Sequence, residues 1–258
     1  MTQSGLLKYR FPDHMDYVNL YFIADTHIGS PDCNMMKVRR TINHVLNDPV
    51  GYVILGGDLM DNAIFGSPSN AYTQRLSPHE QIQAVCEYFR PLADAGKVLG
   101  TVPGNHENRS NKTAGLCPGE IIAGYLGIAD RYSPTALLIQ IEIGGRKYHV
   151  YSSHGNGGGS TIGNKVNQIE KLTRIVDADV YFAGHTHEPF IFFRNFLRIN
   201  PDTGEQHLAT RIFANCGACL NYRGSYGEAA GYAPTAFGYP CVRFYKDGRD
   251  PFVSMAIQ

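Results

Sequence analysis

Short apolar runs alternate with amphipathic stretches along most of this chain. Continuous apolar runs predict strands buried on both faces at 17–24, 52–55, 97–102 and 180–183. Apolar residues at helical spacing predict helices over 35–46, 78–95, 118–126 and 163–176. Ser77 precedes the second helix and Glu80 follows three positions later, which is the spacing of a capping box. This alternation of strands and helices is typical of a layered α/β fold.

The pattern becomes richer in strands towards the C-terminus. Residues 136–143 and 146–152 flank Gly144-Gly145, which predicts a hairpin with a two-residue turn. Further strands are predicted at 190–199, 207–214, 241–245 and 251–257. No repeat and no linker-like composition divides the chain, so we expect residues 1–258 to form one domain.

The amino-acid composition excludes several classes of protein. Lys plus Arg and Asp plus Glu are both 23, so no net charge draws the chain towards nucleic acid or a membrane surface. No apolar stretch is long enough to span a bilayer, and the polar segment 1–16 is not typical of a signal peptide. Six cysteines without regular spacing suggest reduced thiols, and we therefore expect a cytoplasmic protein with no membrane partner.

Polar motifs rich in metal-binding side chains occur in one order along the chain, and most directly follow a predicted strand. The motifs are Asp25-Thr26-His27, Gly56-Gly57-Asp58-Leu59-Met60-Asp61, Gly104-Asn105-His106-Glu107, Ser153-His154-Gly155 and Gly184-His185-Thr186-His187. A single Asp-x-His is weak evidence for a metal site, whereas the ordered set of motifs is strong evidence. Carboxylate, amide and imidazole groups delivered by consecutive strand ends are what a two-metal hydrolytic centre requires.

The spacing within the motifs indicates how the ligands are presented. Asp25 and His27 are two residues apart, so on extended backbone both side chains can point the same way. Asp58 follows two glycines, which allow a sharp turn, and a carboxylate is suited to bridging two cations. The neutral and imidazole ligands that complete the set are Asn105, His154, His185 and His187. His106 lies beside the ligands and suits a general acid or a phosphate contact.

The ordered motifs resemble those of the calcineurin-like metallophosphoesterase superfamily, whose pattern is D-x-H, G-D-x-x-D, G-N-H-[DE], H and G-H-x-H. The resemblance covers residues 17–187 and implies an α/β fold, a four-layered sandwich with two central mixed β-sheets flanked by helices. It also implies one metal held by Asp25, His27, Asp58 and His187, and a second held by Asp58, Asn105, His154 and His185. Asp58 would bridge the two metals, and His106 would be the catalytic histidine.

The expected cofactors are two divalent transition-metal ions. Mixed nitrogen and oxygen ligands favour manganese, our first expectation, or iron, zinc, cobalt or nickel over magnesium and calcium. The expected reaction is hydrolysis by a metal-bound hydroxide that attacks phosphorus. The chain resembles compact bacterial and phage members of exonuclease-like type, so the expected substrate is a phosphodiester in DNA, RNA or a nucleotide.

Two alternatives remain open at this point, as does the oligomeric state. A phosphomonoesterase, including a protein phosphatase, would share the spelling Gly104-Asn105-His106-Glu107, but Asn62 stands where those enzymes have an arginine after the second aspartate. A non-catalytic metal-bearing binding or scaffold protein is the other alternative. The complete ligand set and His106 argue against it.

Residues around the motifs complete the expected site. Arg109 and Asn108 are candidates for binding the phosphate. Asp61 and Glu107 are expected to orient ligands rather than to bind metal. The segment 155–165, GNGGGSTIGNK, lacks the lysine of a P-loop and is expected to be a loop beside the site.

Two further features of the last third have functional and structural interpretations. The Gly-rich segment 221–240 is predicted to be a loop whose tyrosines could stack on a base; they are Tyr222, Tyr226, Tyr232 and Tyr239. Cys216 and Cys219 have the spacing of half a zinc or redox site. No second CxxC accompanies them, which favours ordinary thiols.

Overall fold

The computed structural model describes residues 5–159, 161–199 and 203–257, and in these ranges the chain forms two mixed β-sheets flanked by helices. The first sheet has the spatial order β1 (Leu7–Arg10), β5 (Ala136–Ile143), β6 (Arg146–Ser153), β7 (Val180–Ala183), β9 (Gln206–Asn215) and β8 (Phe190–Ile199). The second has the order β11 (Phe252–Ile257), β10 (Gly238–Tyr245), β2 (Tyr17–Ile23), β3 (Gly51–Leu55) and β4 (Val98–Thr101). The predicted fold class is confirmed.

The helices of the described ranges flank the sheets or lie in the connections between strands. They are α1 (Met35–Asn47), α2 (Pro78–Asp94), α3 (Glu107–Ala114), α4 (Pro118–Tyr125), α5 (Ile162–Glu170) and the short α6 (Tyr226–Ala229). α1 packs on β3 of the second sheet, while α5 packs on β7 and β9 of the first. None of the helices in the described ranges combines the length and the apolar character needed to cross a membrane.

Parallel neighbours bring the motif-bearing strand ends together. In the second sheet, β2 pairs in parallel with β3, and β3 with β4. In the first sheet, β6 pairs in parallel with β7. The carboxyl ends of parallel strands lie at one edge of a sheet, so the loops that follow β2, β3 and β4 emerge side by side, as do those after β6 and β7.

Two phenylalanines join the sheets close to these strand ends. Phe22 in β2 and Phe182 in β7 are fully buried, and their rings stack with centroids 5.3 Å apart and an interplanar angle of 5°. Gly56, just after β3, lies against the Phe22 ring, where a Cβ would collide with it. The packing of the two sheets therefore fixes the distance between the loops after β2 and β3 and the loop after β7.

Local signals in the sequence are mostly confirmed. Gly144 and Gly145 have φ values of 56° and 78° in the turn between β5 and β6, as a type I′ hairpin requires. Ser77 and Glu80 form the predicted capping box at the start of α2. The helix expected over 163–176 begins at Ile162, ends at Glu170 and continues as a 3₁₀ segment, Lys171–Arg174.

Three features differ from the sequence prediction or extend it. β1 is a four-residue strand with alternating burial at the edge of the first sheet, too short for its periodicity to be read from the sequence. α3 is polar throughout and has no apolar stripe, so helical spacing could not reveal it. The loop predicted over 221–240 contains the short helix α6 and ends before Gly238, where β10 begins.

The stacked pair gives a test of how the sheets are held together. We expect Phe182→Ala to lower the free energy of unfolding by about 3–5 kcal/mol, because it leaves a cavity between the two sheets. Phe65→Ala is the matched control, since Phe65 is 93% exposed and its loss should change stability by less than about 0.5 kcal/mol. Urea unfolding of both variants measures the difference, and similar losses in the two would contradict this account of the core.

Candidate metal centre

Backbone hydrogen bonds continue the sheet pairing beyond the strand ends and into the motifs. The Asp25 N–H donates to the carbonyl of Gly57 at 3.0 Å, and the His27 N–H donates to that of Asp58 at 3.0 Å. In the first sheet, the Gly184 N–H donates to the carbonyl of His154 at 2.9 Å. The motif side chains are thus positioned by ladders of main-chain bonds rather than by free loops.

The first cluster of candidate ligands contains Asp25, His27 and His187, whose ligand atoms all lie within 4.8 Å of one another. The Nε2 atoms of the two histidines are 3.1 Å apart. Oδ1 of Asp25 lies 3.4 Å from Nε2 of His187 and 3.9 Å from Nε2 of His27. Three atoms with metal-binding lone pairs therefore converge on one point.

The second cluster contains Asp58, His154 and His185, again within 4.8 Å of one another. Oδ2 of Asp58 is 3.1 Å from Nε2 of His154. Oδ1 of Asn105 joins this cluster, at 3.1 Å from Nε2 of His154 and 2.7 Å from Nδ1 of His185. Asp58 also forms a group with His27 and His106, so it lies between the two clusters.

The hydrogen-bond chemistry of these atoms fits a divalent cation. Nδ1 of His154 lies 2.8 Å from the carbonyl oxygen of Gly56, so in the neutral ring Nδ1 carries the hydrogen. The lone pair of Nε2 then faces the oxygens of Asp58 and Asn105, an arrangement that requires a proton or a cation between the atoms. Oδ1 of Asp25 is buried and accepts no hydrogen bond from the described residues. Both clusters thus fit divalent metal binding.

The pKa shifts of the buried ligands also fit a cation at this site. Burial opposes the charged form of His154, but Asp58 and Asp25 outweigh it and raise the pKa of His154 to about 10. Burial would raise the pKa of Asp58, yet His154 and His106 hold it well below the usual value. The electrostatic field of these carboxylates therefore holds positive charge at the site.

Unusual backbone conformation is concentrated at the same residues. Among the described residues, the non-glycine residues with positive φ are Asp25, His27, Asp58, Asn62, His185 and His187, with values from 44° to 67°. All but Asn62 are predicted ligands. A left-handed conformation costs a non-glycine residue about 1 kcal/mol or more, so the surrounding structure must impose it.

Glu107 ties two of the motif turns together. Its buried carboxylate accepts hydrogen bonds from the N–H groups of Asp58 at 2.9 Å and Gly104 at 2.8 Å through Oε2, and of Leu59 at 2.8 Å and Met60 at 3.3 Å through Oε1. Burial and the charge of Asp58 raise the pKa of Glu107, and the N–H donor of Gly104 acts against this shift. Glu107 thus orients the ligand loops, as expected, and its oxygens are occupied by the main chain.

His106 is held between Asp61 and Arg109. Its Nδ1 lies 2.5 Å from the carbonyl oxygen of Asp61 and 3.3 Å from Oδ1 of the same residue. Nη2 of Arg109 lies 2.9 Å from Nε2 of His106, and Nη1 donates to the Asp61 carbonyl at 2.9 Å. Oδ1 of Asp61 also lies 3.3 Å from Nδ1 of His27. Asp61 therefore orients two histidines, and Arg109 is anchored beside the candidate catalytic one.

The structure brings all the predicted ligands together, but not every other candidate. Asn108 lines a cavity beside the second cluster. Tyr239 lies in β10, is 1% exposed and contacts Nδ1 of His44, so the expectation that it stacks on substrate was wrong. Tyr226 and Tyr232 are exposed, with ring centroids 6.2 Å apart. All six cysteines, including Cys216 and Cys219, are free.

The predicted loop 155–165 is a loop only in part. Residue 160 lies outside the described residues, and α5 already begins at Ile162. Gly155 and Asn156, at its start, line the same cavity as Asn108.

Several supporting residues lie outside the five motifs, and their contacts were not predicted from the sequence. Nδ2 of Asn62 donates to the carbonyl of His106 at 2.6 Å, and the Asn62 N–H donates to Oε1 of buried Gln81 at 2.8 Å. Nδ2 of Asn215 donates to Oγ1 of Thr186 at 2.9 Å, between the two histidines of the last motif. Asn62 is the residue that replaces the phosphatase arginine, and its role here is to hold the His106 backbone.

The geometry agrees with comparisons to known proteins. The family model described as calcineurin-like phosphoesterase matches residues 18–189, which contain every predicted ligand. The chain belongs to the calcineurin-like phosphoesterase family. Membership supports a phosphoric ester hydrolase. None of the curated proteins compared with the chain matches it.

Solved structures related to this phosphoesterase are distant in sequence. A conserved uncharacterized protein of Streptococcus pneumoniae, described as a predicted phosphoesterase, is 14% identical with a TM-score of 0.39, covering 95% of this chain and 99% of its own. A metallophosphoesterase of Sphaerobacter thermophilus is 14% identical with a TM-score of 0.45, covering 93% and 88%. Vps29 of Entamoeba histolytica is 12% identical with a TM-score of 0.43, covering 93% and 99%.

The Glu107 carboxylate gives a test of how the ligand loops are held. In Glu107→Gln an amide N–H₂ group would face backbone N–H donors in place of one oxygen, so we expect a stability loss of about 1–3 kcal/mol and a lower metal content. Glu87→Gln, an exposed change on α2, is the control. Urea unfolding and elemental analysis measure the two effects. Wild-type stability together with wild-type metal content would show that the four bonds are dispensable.

Proposed function

We propose that the chain is a dinuclear metal-dependent phosphodiesterase acting on a nucleic acid or a nucleotide-type diester. The observation that carries this proposal is the convergence of two ligand clusters on Asp58. One ion would be held by Asp25, His27, Asp58 and His187, and the other by Asp58, Asn105, His154 and His185. Nitrogen and oxygen ligands in this mixture suit manganese first, then iron, zinc, cobalt or nickel.

The ions would supply Lewis acidity and a water activated at neutral pH. Hydrolysis adds that water across a P–O ester bond: its oxygen joins phosphorus, and the leaving oxygen takes a proton and departs as an alcohol. Asp58 and the other ligands leave room for substrate because each cluster provides only three or four protein groups, which is typical of catalytic rather than structural sites.

His106 is proposed as the residue that contacts the phosphoryl or leaving-group oxygen. Nε2 of His106 lies 3.7 Å from Oδ2 of Asp58, so this ring nitrogen faces the carboxylate that both ions would share. Asp61 fixes the opposite side of the ring through Nδ1. Nη2 of Arg109 lies 2.9 Å from the same nitrogen, so a phosphoryl oxygen that entered here could accept hydrogen bonds from both side chains.

The charge around the clusters supports a diester rather than a monoester. Within the described ranges, the cations at the clusters and the adjoining cavity are Arg109, which is bound to His106 and the Asp61 carbonyl, and Lys165, which pairs with Glu188 at 3.0 Å. A diester carries one negative charge, whereas a monoester dianion gains from unpaired cationic side chains. Of these two, Lys165 is neutralised by Glu188, which leaves Arg109 as one cation for the single charge of a diester.

The proposed function is tested by comparing bis-p-nitrophenyl phosphate with p-nitrophenyl phosphate. We expect the metal-loaded protein to have the higher kcat/KM on the diester, chelation to abolish turnover, and one of the five metals to restore it. Asp58→Ala should lose both bound metal and activity, while Asp130→Ala, an exposed change, retains both.

Other outcomes of this comparison have distinct meanings. A clear preference for the monoester would make the chain a phosphomonoesterase. Two bound ions without turnover of either compound under any metal would favour the non-catalytic alternative. Less than one ion per chain after metal loading would overturn the metal centre itself.

Removal of the His106 side chain separates catalysis from metal binding. We expect His106→Ala to keep its metal and to lose roughly 10²–10⁴-fold in kcat, because a positioned acid or phosphate contact contributes about this much. His79→Ala, on the exposed start of α2, is the control. Steady-state kinetics on a diester with a poor leaving group give the readout, and nearly full turnover there would show that His106 has another role.

A further inference from the structure

A cavity of about 360 Å³ adjoins the second ligand cluster, and both Asn105 and His154 belong to its lining. Its volume lies within the roughly 300–1,000 Å³ of small-molecule sites. The other walls come from the turn after β4, from β6 and from α5 with the segment after it. A molecule whose phosphate lies at the clusters can therefore extend directly into this cavity.

One side of the cavity is apolar. Tyr151 of β6 contributes an aromatic ring, and α5 with its continuation contributes Ile169, Leu172 and Ile175. An aromatic side chain next to aliphatic ones provides a surface for a flat ring system, because base–aromatic stacking is favourable and tolerant of sequence.

Polar side chains without partners lie on the rest of the lining. They are Asn108, Ser153, Asn156 and Gln168. The hydroxyl of Ser153 is buried and has no hydrogen-bond partner among the described residues. These side chains offer neutral donors and acceptors rather than charges.

Charge inside the cavity is neutralised. Lys165 is the one Lys or Arg in the described lining, and its Nζ lies 3.0 Å from Oε2 of Glu188. A second phosphate placed here would lose water without gaining a free cation, which is costly. The cavity thus suits an uncharged group with a ring face and several hydrogen-bonding atoms.

We propose that this cavity, lined by Tyr151, Gln168 and the apolar side of α5, is a subsite for a nucleoside arm of the diester. The inference rests on the proposed function and narrows its substrate. Because the described lining offers no unpaired cation, the group that it would bind is the nucleoside itself rather than a second phosphate.

Matched diesters with and without a nucleoside test the subsite. The substrates are thymidine 5′-(p-nitrophenyl phosphate) and methyl p-nitrophenyl phosphate, which share a leaving group. We expect the wild type to favour the nucleoside diester in kcat/KM, and Gln168→Ala and Tyr151→Leu to lower the ratio of the two values about tenfold, mainly through KM. Asn167→Ala, an exposed neighbour on α5, should leave the ratio unchanged.

The subsite would be ruled out if the wild type had similar kcat/KM values on the two diesters, or if both subsite variants left their ratio unchanged. Either result would leave the proposed phosphodiesterase activity intact. If neither diester is hydrolysed with any metal, the proposed function fails, and titration calorimetry of the metal-loaded protein with thymidine 5′-phosphate decides the subsite alone. Binding that Gln168→Ala weakens but Asn167→Ala does not would support it, and the absence of binding would overturn it.

Discussion

Two carboxylates buried from solvent set the constraint on which the rest of the site depends. Asp25 is 0% exposed and Asp58 is 1% exposed. Charges buried to this degree are tolerated only when nearby groups compensate them. Here the compensation comes from histidines and from main-chain donors, such as the His185 N–H to Asp25 and the His106 N–H to Asp58. The field that raises the pKa of His154 to about 10 is the field that would hold divalent cations.

The groups that compensate the charges of Asp25 and Asp58 come from both sheets, so both must be folded first. Asp25, Asp58 and Asn105 follow strands of the second sheet, whereas His154, His185 and His187 follow strands of the first. The Phe22–Phe182 stack sets the spacing between the two groups, and Glu107 locks the loops after β3 and β4 to each other. Sheet packing and ligand geometry are therefore one cooperative feature, which explains why left-handed backbone is sustained at five candidate ligands.

The strands and motifs that could be predicted from the sequence are those marked by a pattern of neighbouring residues. The strands ending at Ile23, Leu55 and Ala183 are continuous apolar runs, and each motif follows its strand directly, so their convergence could be inferred. α3 could not, because it has no apolar face, and Tyr239 was misplaced because glycines around it suggested a loop. Contacts made between distant segments, such as Arg109 on the Asp61 carbonyl and Asn62 on the His106 carbonyl, have no signature in either segment.

The chemistry and the selectivity of this phosphoesterase arise from different kinds of structure. The ligand clusters are built from short motifs at strand ends, whose positions are imposed by main-chain pairing and tolerate little change. The cavity beside them is walled by side chains of β6, α5 and the 3₁₀ segment, where substitutions alter shape and hydrogen bonding without moving a ligand. A wall of this kind can change between relatives while the centre stays the same, since loops and helix faces around a rigid scaffold vary most freely. The proposed nucleoside subsite lies in this lining, whose one Lys or Arg among the described residues is paired with Glu188, so selectivity between phosphate esters would arise there.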